Sequence, residues 1–246
     1  MEERKFDIAT ADGAMNSFVC HPDEGGPFPP VIFYQDAPGV RQELFDMARR
    51  LATAGYYVIL PNLYYRTARD VVIDGNRAEI DGTYDSRRMY ELIFSLTNTM
   101  PVEDTGALLA AIADDPQVRP GPVGALGYCM GGRFAACAAA RYPELAAIAA
   151  YCATWMVSDR PDSAHLAVGR IAGEIYLACA EQDPYLPDDQ IEELRRRMVE
   201  GGVRHRIEIY PGTRHAFAFR DRDTHQQAGE DRHWQRMIAL FRRHLG

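Results

Sequence analysis

The chain has 246 residues, 47% of them apolar and 25% charged. That is enough to bury a sizeable core and excludes disorder or a fibrous repeat as the main state. Acidic residues outnumber basic ones, 35 against 27, for a formal net charge of −8, and a negative chain repels phosphate backbones, which argues against nucleic acid as a partner.

No apolar run approaches the ~18 residues of a membrane span. The start, Met1-Glu2-Glu3-Arg4-Lys5, lacks the apolar core of a secretory signal, so the expected location is the cytoplasm, with no membrane partner. The five cysteines, at 20, 129, 137, 152 and 179, form no CxxC pair. That spacing argues against a metal site or a disulfide framework and leaves free thiols.

In chain order, Lys5 to Thr10 and Asn16 to Cys20 flank Ala11-Asp12-Gly13 and read as an antiparallel hairpin. The Gly/Pro cluster at 25–30 is a loop. Val31 to Tyr34 is a buried strand, Gln42 to Ala54 a helix closed by Gly55, and Tyr56 to Leu60 a strand stopped by Pro61. A long polar stretch, Asn62 to Thr83, reads as a loop over one end of a sheet. Helices follow over Tyr84 to Leu96 and Pro101 to Ala113.

Val123 to Leu126 is the next strand, and Met130 to Arg141 a helix. Ala146 to Tyr151, Ile175 to Ala180 and Arg206 to Tyr210 are strands. Pro187 to Glu200 and Glu230 to His244 are amphipathic helices. The alternation predicts one α/β domain over residues 1–246. Its mostly parallel sheet has about eight strands, with helices on both faces. Ligands bind such sheets at the carboxyl ends of the strands.

Three of those ends carry chemistry. Gly127-Tyr128-Cys129-Met130-Gly131-Gly132 places a nucleophile between small residues at a strand-to-helix turn. A sharp bend there presents the central side chain at the sheet edge, and the helix N-terminus favours a thiolate. The Met130 amide would face a developing oxyanion. Asp183 follows the Ile175 strand and His215 the Arg206 strand, in the nucleophile–acid–base order of α/β-hydrolases.

His215 is placed to take the thiol proton and Asp183 to orient the ring. Glu181, Asp188 and Asp189 compete for the acid role, Glu181 most closely. Gln35-Asp36-Ala37-Pro38-Gly39, after the Val31 strand, lies where this fold places its second oxyanion donor. The Ala37 amide fits, because Pro38 has none to give. A carboxylate at Asp36 near Cys129 would raise the thiol pKa, although Asp36 also reads as a plain turn cap.

Together with Gly55-Tyr56-Tyr57-Val58-Ile59-Leu60-Pro61-Asn62-Leu63-Tyr64 and Gly212-Thr213-Arg214-His215-Ala216-Phe217, these motifs resemble the dienelactone hydrolase (carboxymethylenebutenolidase) family along nearly the whole chain. The resemblance implies an α/β-hydrolase fold, a Cys129–His215–Asp183 triad, and an acidic residue at 36 that interacts with the resting thiol. It also implies hydrolysis of a cyclic enol ester or related ester without metal or cofactor.

Three positions depart from the family. The acid at 36 is Asp where the family has Glu, and Pro-Asp-Leu-Tyr is Pro-Asn-Leu-Tyr here. The substrate-binding arginine four residues past the histidine is Phe219, with Arg220 adjacent. A second family arginine lies on the helix where Arg88 stands. Tyr128, Phe219, Trp155, Tyr64 and Tyr65 are candidate pocket aromatics or ordinary packing.

The leading expectation is a cysteine hydrolase of a small-molecule ester or lactone, monomeric or a weak homo-oligomer. The alternatives are a carboxylesterase for neutral esters and a non-catalytic thiol redox sensor.

Overall fold

The computed structural model describes residues 1–246. Eight strands form one sheet: β1 (Glu2–Thr10), β2 (Gly13–His21), β3 (Pro30–Tyr34), β4 (Tyr57–Pro61), β5 (Val123–Tyr128), β6 (Leu145–Tyr151), β7 (Glu174–Gln182) and β8 (Arg204–Arg214). Their spatial order is β1-β2-β4-β3-β5-β6-β7-β8. The hairpin β1–β2 and the β2–β4 pair are antiparallel, and every other pairing is parallel.

Seven helices join the strands: α1 (Gln42–Thr53), α2 (Gly75–Ala78), α3 (Tyr84–Phe94), α4 (Thr99–Ala113), α5 (Met130–Ala139), α6 (Asp188–Glu200) and α7 (Gln227–Leu245). They cover both faces. Side chains alternate along a strand, so Ile32 and Tyr34 of β3 enter one core with Leu108 of α4, Phe134 of α5 and Leu194 of α6. Val31 and Phe33 enter the other core, with Leu51 of α1 and Phe241 of α7. Both-sided burial is why the central strands read as continuous apolar runs.

Several boundaries differ from the sequence-based expectation. β8 runs through Pro211-Gly212 to Arg214. It is an edge strand, where proline removes no ladder bond that the sheet needs, and the register shift opposite Ala180 and Gln182 absorbs the irregularity. His215 therefore follows β8 directly. The hairpin turn is Ala11-Asp12, with Gly13 paired to Thr10.

The 62–83 stretch is not a plain loop. Asp74 accepts hydrogen bonds from the Asn76 and Arg77 amides and so caps the single turn α2. α4 begins at Thr99, with Pro101 in its first turn, where a missing N–H costs nothing.

Candidate active site

β5 delivers the chain to Cys129 with φ 54° and ψ −123°, and α5 starts at the next residue. A left-handed backbone at a non-glycine residue is strained and persists only where its surroundings enforce it. The glycines allow the bend. A Cβ on Gly127 would overlap the Gly131 carbonyl, and one on Gly131 would overlap the carbonyl oxygens of Tyr34 and Gln35 at the end of β3. Helix α5 therefore approaches the sheet as closely as backbone allows. Gly131→Ala is expected to lower stability by about 1–3 kcal/mol through overpacking, read as a lower urea midpoint. An unchanged midpoint would show that the close approach is not needed.

Two loops bring the other polar groups to this bend. His215 Nδ1 lies 2.8 Å from Asp183 Oδ2, and Asp183 Oδ1 accepts the Tyr185 amide at 3.0 Å. Both carboxylate oxygens are thus committed, and the ring orientation is set. Glu181, the closest rival, instead accepts the Gly212 amide at 3.0 Å. Asp188 and Asp189 lie in the first turn of α6.

Tyr185 packs edge-on against the imidazole, with ring centroids 4.8 Å apart. Burial works against a charged His215. The charge of Cys129, hydrogen bonds to Asp183 and Cys129, and the charge of Asp183 outweigh it and raise the pKa to about 10. The ring holds its proton because it stands between two acidic partners.

The Ala37 segment lies beside Cys129 in the same cavity wall. Neither the Ala37 nor the Met130 amide donates to another protein group. Met130 opens α5, where first-turn amides lack helical partners. The Tyr64 hydroxyl sits 3.0 Å from the Ala37 carbonyl and 3.2 Å from Met130 Sδ, which ties the two segments together.

Asp36 also lines the cavity, but its carboxylate is held by Arg41 Nη1 at 2.6 Å. Arg41 bridges onward to Asp221 at 2.5 Å. Its guanidinium stacks over Phe219, 5.1 Å from the ring centroid. The charge that Asp36 was expected to set against the thiol is offset by this buried partner.

The cavity over Cys129 is lined by His215, Thr154, Trp155, Phe219 and Tyr185, and by Met89, Tyr90 and Ile93 of α3. Its volume is about 20 Å³, little more than one water molecule. An ester is larger, so its entry requires the cavity to widen. Glu79, at the end of α2, ties two of its walls together, accepting Arg222 Nη2 at 2.8 Å and the Tyr185 hydroxyl at 3.3 Å.

Of the expected substrate contacts, Phe219 lines the cavity, and Tyr128, Arg88 and Arg220 do not. Tyr128 is fully buried beneath the bend, with its hydroxyl on His233 Nε2. That imidazole is buried too, and burial pushes its pKa down to about 3. Arg88 pairs with Glu91 at 3.1 Å, and Arg220 with Glu230 at 3.0 Å. In each case a carboxylate close in sequence or across the fold captures the guanidinium. Tyr64 and Tyr65 are structural, the latter donating to Asp104 at 2.9 Å.

Sequence reasoning missed Arg41, Glu79, Tyr185, Arg222 and Cys152. Tyr185 alone carried a signal, two residues beyond Asp183. Cys152, just past β6, also has a positive φ, 45°. Its Sγ, an Asp183 oxygen and a His215 nitrogen lie within 4.8 Å of one another. The Asp and His are already bonded to each other, so the group is arranged as a hydrogen-bonded pair with a thiol behind it rather than as ligands splayed around an ion. Cys152 is 4% exposed, and burial pushes its thiol pKa well up. Cys129 is only partly buried and lines the cavity.

Residues 15–245 match the model of the dienelactone hydrolase family. A protein of Synechocystis sp. provisionally named a carboxymethylenebutenolidase is 26% identical over 231 residues, covering 93% of this chain and 91% of its own. A Bradyrhizobium protein provisionally named a 2-oxo-3-(5-oxofuran-2-ylidene)propanoate lactonase is 23% identical over 244 residues, covering 97% and 93%. The crystal structure of a Klebsiella pneumoniae protein provisionally named a dienelactone hydrolase superposes with a TM-score of 0.86 at 23% identity over 99% of both chains.

Proposed function

Since the chain belongs to the dienelactone hydrolase family and is a hydrolase of the ester or lactone type, we propose that Cys129 is its nucleophile and that turnover passes through an acyl-thiol intermediate. The observation that carries this reading is His215, fixed by Asp183 at 2.8 Å and lining one cavity with Cys129, a cysteine at a left-handed helix N-cap. In the resting pair His215 already holds the proton drawn from Cys129, and the sulfur attacks the ester carbonyl. The Ala37 and Met130 amides receive the oxyanion.

The imidazolium then gives its proton to the departing alkoxide or enolate. The neutral ring next activates water, which cleaves the thioester and restores the thiol. Asp183 keeps the ring in one tautomer throughout. We read the 246 residues as one hydrolase unit acting on a small molecule in the cytoplasm, and no helix is long and apolar enough to cross a membrane.

The test is mass spectrometry of the intact protein and of its proteolytic peptides after mixing with a slowly deacylated aryl ester. One acyl mass is expected on the peptide that carries Cys129, and hydroxylamine should release it. An adduct on Cys152, or turnover with no adduct under any quench, overturns the assignment. A second reading, hydrolysis of neutral esters, is favoured by Phe219 in the cavity wall and by the capture of Arg88 and Arg220 elsewhere.

A further inference from the structure

Arg133 lies one helical turn beyond Cys129 on α5 and is 7% exposed. Its guanidinium has no carboxylate partner. Nε donates to nothing, and the one hydrogen bond is a long contact from Nη1 to the Thr154 carbonyl, at 3.4 Å. The group sits 4.9 Å from the Phe134 ring centroid and 5.7 Å from that of Trp155. Burial pulls its pKa down from the usual arginine value. A buried cation without a counter-charge is costly, and nothing in the fold of α5 compels an arginine there.

Beside it opens a cavity of about 240 Å³, whose lining includes Arg133, Arg160, Asn98, Ser158, Phe94 and Trp155, with no acidic residue. The nearest acid, Asp162, is already committed. One of its oxygens accepts Arg160 Nε at 3.1 Å, and the other accepts the Asn98 amide at 2.7 Å. The Ser158 hydroxyl makes no hydrogen bond within the protein, so the cavity offers two guanidinium groups and a free hydroxyl between apolar walls. Trp155 and Ile93 belong to this cavity and to the one over Cys129 alike, so the two spaces share a wall.

We propose that this side cavity is an oxyanion-binding site that takes the carboxylate of a small organic acid against Arg133. A planar carboxylate matches a guanidinium fork. It would accept from the guanidinium's terminal nitrogens, supply the missing counter-charge, and leave an aliphatic chain against Phe94 and Trp155. The carboxylate can arrive as the tail of the ester proposed above, in which case the site selects substrate and rests on that reading. It can also arrive as a free acid that occupies the site independently.

The probe is succinate, titrated by calorimetry at constant ionic strength with chloride as the control anion. Saturable succinate binding is expected. Arg133→Met should weaken it about ten- to hundred-fold, the worth of a charged hydrogen bond. Arg160 is half-exposed, so Arg160→Gln is expected to fold and to weaken binding several-fold even if the Arg133 variant fails to fold.

The kinetic arm compares 4-nitrophenyl hydrogen adipate with 4-nitrophenyl hexanoate. If the substrate supplies the carboxylate, the adipate ester's advantage in kcat/KM falls in Arg133→Met while the hexanoate rate holds. If the acid is free, succinate alters hexanoate turnover in the wild type but not in the variant. Succinate binding without hydrolysis of either ester sustains the site and removes the hydrolase mechanism. Absence of saturable succinate binding together with equal handling of both esters by wild type and variant overturns the site, as does binding unchanged in both arginine variants.

Discussion

Cys129→Ala abolishes ester hydrolysis to within background, a loss of at least about a thousand-fold in kcat/KM, while Cys152→Ala keeps most of it. The first effect follows from removing the only atom that can form the acyl bond. Alanine holds the same left-handed backbone as cysteine with less bulk, so the bend survives and the loss is chemical. The second expectation separates two thiols that are adjacent in the sheet and both near His215. Cys152 is buried and outside the cavity, and its thiol resists ionisation. The check is a pair of steady-state assays, with circular dichroism to show that both variants are folded. If alanine at 152 silences the protein and alanine at 129 does not, the nucleophile is misassigned.

Asp183→Asn should cost about two to four orders of magnitude in kcat and move the pH profile in a defined direction. In the wild type, His215 is protonated up to about pH 10, so the alkaline limb of kcat/KM, set by loss of that proton, lies at high pH. Asparagine removes one of the charges that raise the His215 pKa and leaves at most a neutral acceptor in its place. The limb therefore shifts toward neutral pH.

The same linkage governs stability. A histidine whose pKa is higher folded than unfolded stabilises the fold below its unfolded value near 6.5. That contribution fades as pH rises toward 10, and it is smaller in Asp183→Asn. Chemical denaturation at pH 6 and pH 9 reads this out: the difference between the two pH values should shrink in the variant. An alkaline limb that stays in place in Asp183→Asn contradicts the proposed role of the carboxylate.

Much of the architecture was legible because it is local. Apolar runs such as Val31 to Tyr34 follow from burial on both faces, and Gly55 stops α1 because a left-handed residue costs glycine nothing (its φ is 100°). The Gly127–Gly131 spacing is legible for the same reason: steric overlap at a bend depends on neighbours a few residues away. The order Cys129, Asp183, His215 was readable once each was placed just past a strand, since parallel strands end on one edge of the sheet.

The partners of charged side chains were not readable. Nothing near residue 36 in the chain announces that Arg41 also reaches Asp221, 180 residues on, or that Glu230 claims Arg220. Nor does the helical stretch after Cys129 show that Arg133, alone among the buried arginines, lacks an acid. Hydrophobic periodicity is written residue by residue, whereas a long cationic side chain chooses among all the carboxylates that folding brings within its reach. The proposed nucleophile, acid and base therefore belong to the linear pattern. The bridge from Arg41 to Asp221, the capture of Arg220 by Glu230, the burial of Tyr128 and the narrowness of the cavity belong to the folded chain, because each is settled by what lies across space.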